Sequence, residues 1–591
     1  MALSPLDPRA TLHADLLRLT RGLGGLRLAI ADGVDRLEAL NGVLRLGFPT
    51  VDAYARERLG RSGRWLGDVR TLARRLVGLP ILRDAYLAGR LSTSKAELLA
   101  RHLTRRAGVV ESGDEVRQLQ ALILARTMTI RALRGHLGAS GAAGDEADRT
   151  RCRWVQLTRH VDRVDAVAFE GAVRLMNALG ASSRTEAIEG LLAEAMTMLI
   201  NRGLVGATDL IDLVDRIGGS WPPVRPEPSS SPPTAPVSPT TDIGPTDTNL
   251  PAVNPHLIDP EVTSLEGLDE ALCALAAELA RRDLRLGQLG LEAERVGLAH
   301  VLGHESVDDF YREALGMAPS SMAARIALAR RVGRLTRLED RIHHGTIGFE
   351  TATLLARVAS PETENAWLAL ADISTVKLFR EQVDAAELHA RIHGLPLDRL
   401  APPTPDQVEE ARDLERKILA MVLVPTERMS DQAAVADLAE VADLVRDSPM
   451  SVGVGTVRLR LTLPEDLATF WRELEAEYDD AYATPGAPSF VAMLVASTLE
   501  TWRGATRLPA YGDVYLRDRL RCQSPTCRSR NCTPHHIVFR SRGGDDAPSN
   551  LVSLCERCHL DLVHGHHLTV TGLAPDALRW EALAYSAHGP V

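Results

Sequence analysis

Residues 47–101 and 303–357 align without a gap at an offset of 256, and 20 of the 55 positions are identical. The shared letters include Val51-Asp52, Arg56-Glu57 and Leu59-Gly60 against Val307-Asp308, Arg312-Glu313 and Leu315-Gly316, then LARR, and LLAR at the end. A period this long marks a duplicated domain, because solenoid repeats recur every 20–50 residues or so. Whatever one copy folds into, the chain must build it twice.

The apolar spacing inside each copy is helical. Leu66, Val69, Leu72, Leu76 and Leu79 form one stripe that stops at Pro80, and Met322, Ile326, Ala329, Val332 and Leu335 form its counterpart. Gly89 and Gly345 fit a turn into a following helix through Leu98-Leu99 or Leu354-Leu355. Further on, Trp154-Val155-Gln156-Leu157-Thr158 and Arg458-Leu459-Arg460-Leu461-Thr462 each open an alternating segment followed by two expected helices. The offset there is 304, so the second copy carries about 48 extra residues, which fall near Ala401 to Val452. Between the copies, Trp221 to Pro260 is rich in Pro, Ser and Thr and reads as an extended or disordered linker.

Hydrophobic residues make up 45% of the 591 and no apolar run approaches the length needed to cross a bilayer, so no membrane partner is expected. The N-terminus has no uninterrupted apolar h-region, and a cytoplasmic address follows. None of the three lysines (Lys95, Lys377, Lys417) lies in a phosphate-loop context, which excludes NTP-driven chemistry of that kind. The formal net charge of −10 argues at first against a nucleic-acid partner. Its distribution reverses that: from Tyr515 to Leu568 eight arginines face five acids, a local balance of +3 against −13 elsewhere.

Five of the seven cysteines fall in the same stretch, which also contains CTPHHIVFRSRGGDDAPSNLVSLCERCH. Cys522 and Cys527 are separated by four residues and Cys555 and Cys558 by two, so the pairs can form the two knuckles of an all-cysteine zinc site. Cys532 is either a spare thiol or a substitute for one of the first pair. Such a segment is too short to bury a core, and structural zinc supplies on the order of 10 kcal/mol in small modules. Between the knuckles, His535 to Phe539 has strand composition, which would send the two histidines to opposite faces. Turn chemistry follows over Ser541 to Asp546, then Leu551 to Leu554 reads as a returning strand and Glu556 to His564 as a helix. In that strand, strand, helix order His535, His536, Asn550 and His559 can converge.

These residues resemble the HNH nuclease family, whose ββα-metal element holds one divalent ion. His536 matches the first H, Asn550 the N and His559 the last H, over about 55 of the 591 residues. The four-residue first knuckle departs from the commoner two-residue spacing and, with Cys532, is similar to a subgroup that adds a cysteine before the His pair. The resemblance implies phosphodiester hydrolysis. His536, neutral near its reference pKa of about 6.5, is then the base that takes a proton from water. His535 and His559 are the ligands of a divalent ion, Mg2+ or Mn2+, that stabilises the leaving oxygen. Asn550 can act only geometrically, by orienting the His536 ring or lending a carbonyl to the metal. Arg540 and Arg542 can grip a neighbouring phosphate. His564, His566 and His567 have no assigned role, although His564 can reach the same metal. The duplicated region is itself similar, in pattern, to a mostly helical domain of unknown function that often precedes HNH modules in bacterial chains.

The expected architecture is mainly α (α+β): helical copies at 1–205 and 261–505, a linker at 206–260, the HNH module at 506–575 and a tail at 576–591. The expected activity is metal-dependent cleavage of DNA, with double-stranded DNA as partner and RNA left open. The alternative is a non-cleaving, zinc-stabilised module that binds DNA or a protein.

Overall fold

A computed structural model describes residues 7–106, 114–141, 154–179, 181, 183–201, 258–259, 261–262, 264–423, 456–482, 488–502 and 511–582. The linker expected at 206–260 lies outside them apart from Ile258 and Asp259, as does the extra stretch of the second copy beyond residue 423. The first half runs α1 (Pro8–Ala39), α2 (Gly42–Arg45), α3 (Val51–Glu57), α4 (Gly63–Val77), α5 (Pro80–Leu87), α6 (Thr93–Arg106), α7 (Asp114–Thr127), α8 (Ile130–Gly141), β1 (Trp154–Asp162), α9 (Arg163–Ala178) and α10 (Arg184–Asn201). The second runs α11 (Leu265–Arg295), α12 (Leu298–Val301), α13 (Val307–Glu313), α14 (Pro319–Val332), α15 (Thr336–His344), α16 (Phe349–Val358), α17 (Glu364–Asp372), α18 (Val376–Ile392), α19 (Pro405–Leu423), β2 (Thr456–Pro464), α20 (Glu465–Ala481) and α21 (Phe490–Trp502). A C-terminal module follows with α22 (Gly512–Arg517), β3 (Cys532–His536), β4 (Leu551–Cys555), α23 (Arg557–His564), β5 (Leu568–Thr571) and β6 (Arg579–Ala582). The chain is mostly helical, and its sheets among the described residues are two-stranded ribbons.

Helices α2 to α6 begin at residues 42, 51, 63, 80 and 93, and α12 to α16 begin 256 residues later in every case. Both apolar stripes named from the sequence are buried along their whole length. The first ends where its spacing says it should: α4 stops at Val77, Gly78 caps it, and Pro80 opens α5, where its missing N–H costs nothing. Gly89 and Gly345 have φ of 66° and 74°, the left-handed turn that a side chain would oppose.

The chain divides into two compact units, and each half contributes to both: residues 1–145, 252–411 and 513–591 form one, and 146–251 with 412–512 the other. In the first, α1 and α11 share a core in which Leu16, Leu23, Ile30 and Leu37 join Leu268, Leu272, Leu279 and Leu286. The halves also exchange helix caps. The Glu57 carboxylate accepts from the backbone N–H groups of Val376 and Lys377 at the start of α18, and Glu313 does the same for Ile130 and Arg131 at the start of α8. A carboxylate satisfies orphan donors there and complements the helix dipole.

The capped helix α18 is the mounting for the C-terminal module. Lys377 is buried, with Nζ donating to the Cys522 carbonyl at 2.9 Å and to that of Ser524 at 2.8 Å, and Thr375 Oγ1 donates to the Pro525 carbonyl at 2.8 Å. One turn on, Glu381 pairs with Arg519 at 3.3 Å and Arg521 at 3.8 Å. Burial alone would raise the Glu381 carboxyl, but Arg519, Lys377 and Arg521 together hold it down at about 2. Its folded pKa therefore lies below the unfolded value of about 4.5, so this contact stabilises the protein above that pH and is lost as pH falls toward 2. The expected stability gap between wild type and Glu381→Gln is about 3 kcal/mol near pH 6, shrinking as pH approaches 2. Urea melts at several pH values measure it, and a gap that ignores pH would contradict the assignment.

The second unit is built from two strand–helix–helix segments. β1 and β2 pair antiparallel from Trp154 opposite Pro464 to Asp162 opposite Thr456. On the inner side Leu157, Val161, Leu459, Leu461 and Leu463 are buried, with Phe169 and Phe490 edge-on to the ring of Trp471 at 6.0 and 5.5 Å. The inward-facing Arg159 is held by Glu475 of α20, with Nε donating to both carboxylate oxygens at 2.7 and 2.8 Å.

Candidate functional site

The cysteines gather before any histidine does. Cys522 N–H donates to the Ser529 carbonyl at 2.9 Å, folding the first knuckle back, and Ser529 N–H donates to Cys527 Sγ at 3.4 Å. The sulfurs of Cys522, Cys527, Cys555 and Cys558 lie within 4.8 Å of one another, all four residues buried. This cluster could hold a metal ion. Hydrogen bonds from the Cys522, Cys527 and Cys558 thiols hold Cys555 far below the usual thiol range while Cys522, Cys527 and Cys558 are themselves pushed up, so the four thiols share one anionic sulfur. Cys532 stands outside the four and directs its thiol to the Ser529 carbonyl at 3.6 Å.

β3 and β4 pair from Cys532 opposite Cys555 to His536 opposite Leu551. The first strand thus ends at His536, where the sequence suggested one running to Phe539, and the reason is Asn550. Its backbone carbonyl accepts from Ile537 N–H and its Oδ1 from Val538 N–H, while Nδ2 donates to the carbonyls of Val538 and Asp545. The amide replaces ladder bonds and peels the chain into the turn. Gly544 completes this closure, since a Cβ there would lie 1.7 Å from the Val538 carbonyl oxygen. The geometric use expected of Asn550 is therefore exerted on the loop backbone rather than on the His536 ring.

Pleating sends His535 and His536 apart, as their adjacency in a strand requires. His535 is buried and meets His559 and His564 of α23, with ring centroids 4.7 and 5.4 Å away and the latter pair 5.0 Å apart. One potential ligand atom from each ring lies within 4.8 Å of the others. His559 Nδ1 sits 3.2 Å from Thr533 Oγ1, which also lies 3.4 Å from the Leu554 carbonyl, so this nitrogen is engaged by the strand and Nε2 is the one left for a ligand. Burial first, then the charges of His559, His564 and His536, push His535 down to about 3; burial and His564 also lower His559. Both shifts favour the neutral ring at His535 and His559, and the buried Nε2 of His535 has no hydrogen-bond partner. Phe539 walls the group, stacked on His564 at 5.3 Å.

His564 enters because α23 is wound wider than an α-helix, with i→i+5 spacing continued by the His567 N–H bond to the Leu562 carbonyl at 2.8 Å. Five-residue spacing then returns to one face, bringing His564 beside His559. Sequence reasoning had only the α-helical period for this segment and left His564 without a role.

His536 stands apart from that triad. Its Nε2 lies 2.7 Å from Asp546 Oδ1, and Arg540 bridges the two, with Nε 3.2 Å from His536 Nε2 and Nη2 2.6 Å from Asp546 Oδ1. His536 and then Arg540 hold the exposed Asp546 below the usual carboxylate range. Asp546 was read only as turn chemistry, since nothing in its spacing announces a partner ten residues upstream. Arg542 lies over the Phe539 ring at 5.5 Å. The four residues expected to converge thus divide: His535 and His559 meet with His564 added, His536 pairs with Asp546, and Asn550 braces the turn between them.

Part of the local arginine excess is spent internally. Arg517 donates to the carbonyls of Pro548 and Leu551, Arg519 and Arg521 meet Glu381, and Arg528 lies 4.0 Å from Glu350. Elsewhere, His389 Nδ1 and His393 Nε2 lie 2.8 and 3.7 Å from the Glu410 carboxylate, a linkage of α18 to α19.

Residues 520–564 match the family model described as HNH endonuclease. The C-terminal module is an HNH module. It pairs a four-cysteine cluster able to bind metal with the ββα element of that family. The match makes a nuclease or nucleic-acid-binding role the coarse functional class of the chain. No curated protein and no solved structure matches the chain.

Proposed function

We propose that this chain is a divalent-cation-dependent HNH endonuclease that hydrolyses phosphodiester bonds of double-stranded DNA. The observation that carries the reading is the triad of imidazoles with one ring nitrogen each within 4.8 Å, its buried member His535 having an Nε2 without a hydrogen-bond partner, beside an independently oriented histidine on the same strand. Three imidazole nitrogens, from His535, His559 and His564, favour a borderline transition-metal ion over Mg2+, so of the two expected cations Mn2+ is the better fit. A bound ion there supplies charge stabilisation for the phosphate and its leaving 3′-oxygen.

The chain's own residues do the rest. In the tautomer this role requires, His536 gives its Nε2 proton to Asp546, the nearer of its two neighbours at that nitrogen, and keeps a lone pair on Nδ1 to take the proton of the attacking water. Arg540 and Arg542, both exposed at the turn, can bind the flanking phosphates. Asn550 keeps that turn closed. The four cysteines hold a structural zinc that reinforces the module's small core. The helices at a constant offset of 256 support an internal duplication that carries this module on its second copy through α18.

Loosening the base without removing it has a smaller expected effect than deleting it. Asp546→Asn should lower kcat by up to about 10²-fold with KM little changed, because it disturbs ring orientation and not binding. A KM change of similar size with constant kcat would move Asp546 to a binding role. The reading as a whole is tested by incubating supercoiled plasmid, and separately an RNA transcript, with the purified chain and Mg2+ or Mn2+. Nicked or linear plasmid is expected. Tight binding with no cleavage of either polymer under any cation would favour the non-cleaving binding module instead.

A further inference from the structure

Two histidines at the end of α18 crowd one carboxylate of α19, where a simple clamp between the helices needs a single histidine. His389 Nδ1 lies 2.8 Å from Glu410 Oε2, an ordinary hydrogen bond. His393 Nε2 approaches the other oxygen, Oε1, but at 3.7 Å it is beyond hydrogen-bond reach. The two rings nevertheless stand close, with centroids 4.3 Å apart. One potential ligand atom from each of the three residues lies within 4.8 Å of the other two.

Both helices hold these groups in place. His389 and His393 are four residues apart, which sets them one turn from each other on one helix face. His393 caps α18, its N–H pointing to the carbonyls of His389 and Arg391, and Gly394, with φ of 64°, turns the chain away. The connection is anchored at Leu400, which donates its N–H to the Val358 carbonyl at 2.9 Å and accepts from Trp367 Nε1 at 2.6 Å. α19 then starts on a reciprocal cap: Thr404 N–H donates to Gln407 Oε1 at 2.9 Å, and Gln407 N–H to Thr404 Oγ1 at 3.3 Å. Glu410 is therefore delivered to the histidine pair by a capped helix.

We propose that His389, His393 and Glu410 form a third metal site, for Zn2+ or a similar borderline divalent ion, that fastens the end of α18 to α19. Two imidazoles and a carboxylate make a zinc donor set, and a histidine pair at i,i+4 on one helix is a spacing that binds zinc. The ion replaces the proton between His389 and Glu410 and draws in His393, which that hydrogen bond leaves out. Donor atoms around tetrahedral zinc stand roughly 3.3 Å from one another, a contraction that side-chain rotation supplies. The carbonyl end of α18 adds to the attraction, since a helix C-terminus favours positive charge. Mg2+ is a poor occupant, because it prefers oxygen ligands and keeps its waters. With three protein ligands, and with the His393 and Glu410 side chains 49% and 39% exposed, the site gives up its zinc to a chelator while the buried cysteine cluster keeps its own. The same helix carries the HNH module near its start through Lys377 and Glu381, so zinc at its far end braces that mounting. The site is independent of what the chain does to DNA.

The test uses the full chain, dialysed against a mild chelator, with Zn2+ then added while zinc content and amide exchange are followed by mass spectrometry. Exchange across residues 386–394 and 405–412 should slow by about tenfold when free Zn2+ stands ten times above its Kd. His393→Ala and Glu410→Gln should each lose that protection and bind one zinc fewer per chain than wild type, with the cysteine-held zinc retained. Neither side chain is buried, so melting of the chelator-treated variants should match wild type and controls for folding. Mg2+ at the same concentration should leave both segments unprotected. Zn2+ that does not slow exchange there, that slows it equally in the two variants, or that Mg2+ replaces with the same effect would overturn the proposal.

Discussion

His536→Ala is expected to reduce DNA cleavage by about 10³-fold, within the range of 10² to 10⁴ typical of a lost general base. The loss should appear in kcat, because the role proposed for His536 is to accept a proton and not to hold the duplex. Its stability cost should be small. The ring is half-buried, and its hydrogen-bond partners, Asp546 and Arg540, are exposed side chains that water can satisfy once it is gone. A variant that melts like wild type, binds duplex like wild type and barely cuts would isolate the chemical step. His535→Ala should behave differently, losing activity together with divalent-cation affinity, because it is the buried member of the imidazole triad. Activity is measured by the appearance of nicked plasmid over time at saturating substrate. Wild-type rates in His536→Ala would remove the base from the mechanism.

Cys558→Ser is expected to release zinc and unfold the module, an effect on the order of 10 kcal/mol of local folding free energy. The reason lies in what else the module has to fold with. Its core consists of the cysteines themselves with Val552, Leu554, Leu562, Val563, Leu568, Val570 and Trp580, spread over two two-stranded ribbons and one short helix. Ribbons of two strands are marginal on their own. With Cys558 fully buried, a serine there presents a hydroxyl to three thiols where a thiolate ligand had been. Zinc content should fall well below one per chain, and amide exchange should accelerate across residues 511–582 while α1 and α11, whose core is separate, stay protected. Retained zinc with unchanged exchange would show that the four sulfurs do not depend on one another.

How much of this could be read from letters alone depends on the range of the forces involved. The stripes Leu66 to Leu79 and Met322 to Leu335 follow one helical period and are buried as that period requires. The cysteine pairs were legible because a four-ligand site leaves few ways to spend two knuckles. The end of β3 was not, since a side chain fourteen residues downstream, Asn550, substitutes for the ladder. His564 was hidden by a helix whose winding differs from the one every pattern assumes, and Asp546 by a turn that folds it back onto His536. The alternation in β1 and β2 was visible in each strand separately. Their pairing across some three hundred residues was not, because local composition carries no trace of a partner so distant. The arginine excess near the module amounts to a local and modest attraction, and Arg517, Arg519, Arg521 and Arg528 face inward partners.

The central claim is a division of labour between two metal sets, cysteines that hold the module together and histidines that serve the chemistry. Metal content and plasmid cleavage measured on the same preparation test it most directly. The protein is dialysed against a mild chelator, its zinc is quantified by mass spectrometry, and Mn2+ or Mg2+ is then titrated back while nicking is followed. One zinc per chain that persists through dialysis, with cleavage absent until the second cation is added and rising as it binds, is the predicted result. Cleavage that follows zinc content and ignores added Mn2+ or Mg2+ would contradict the division.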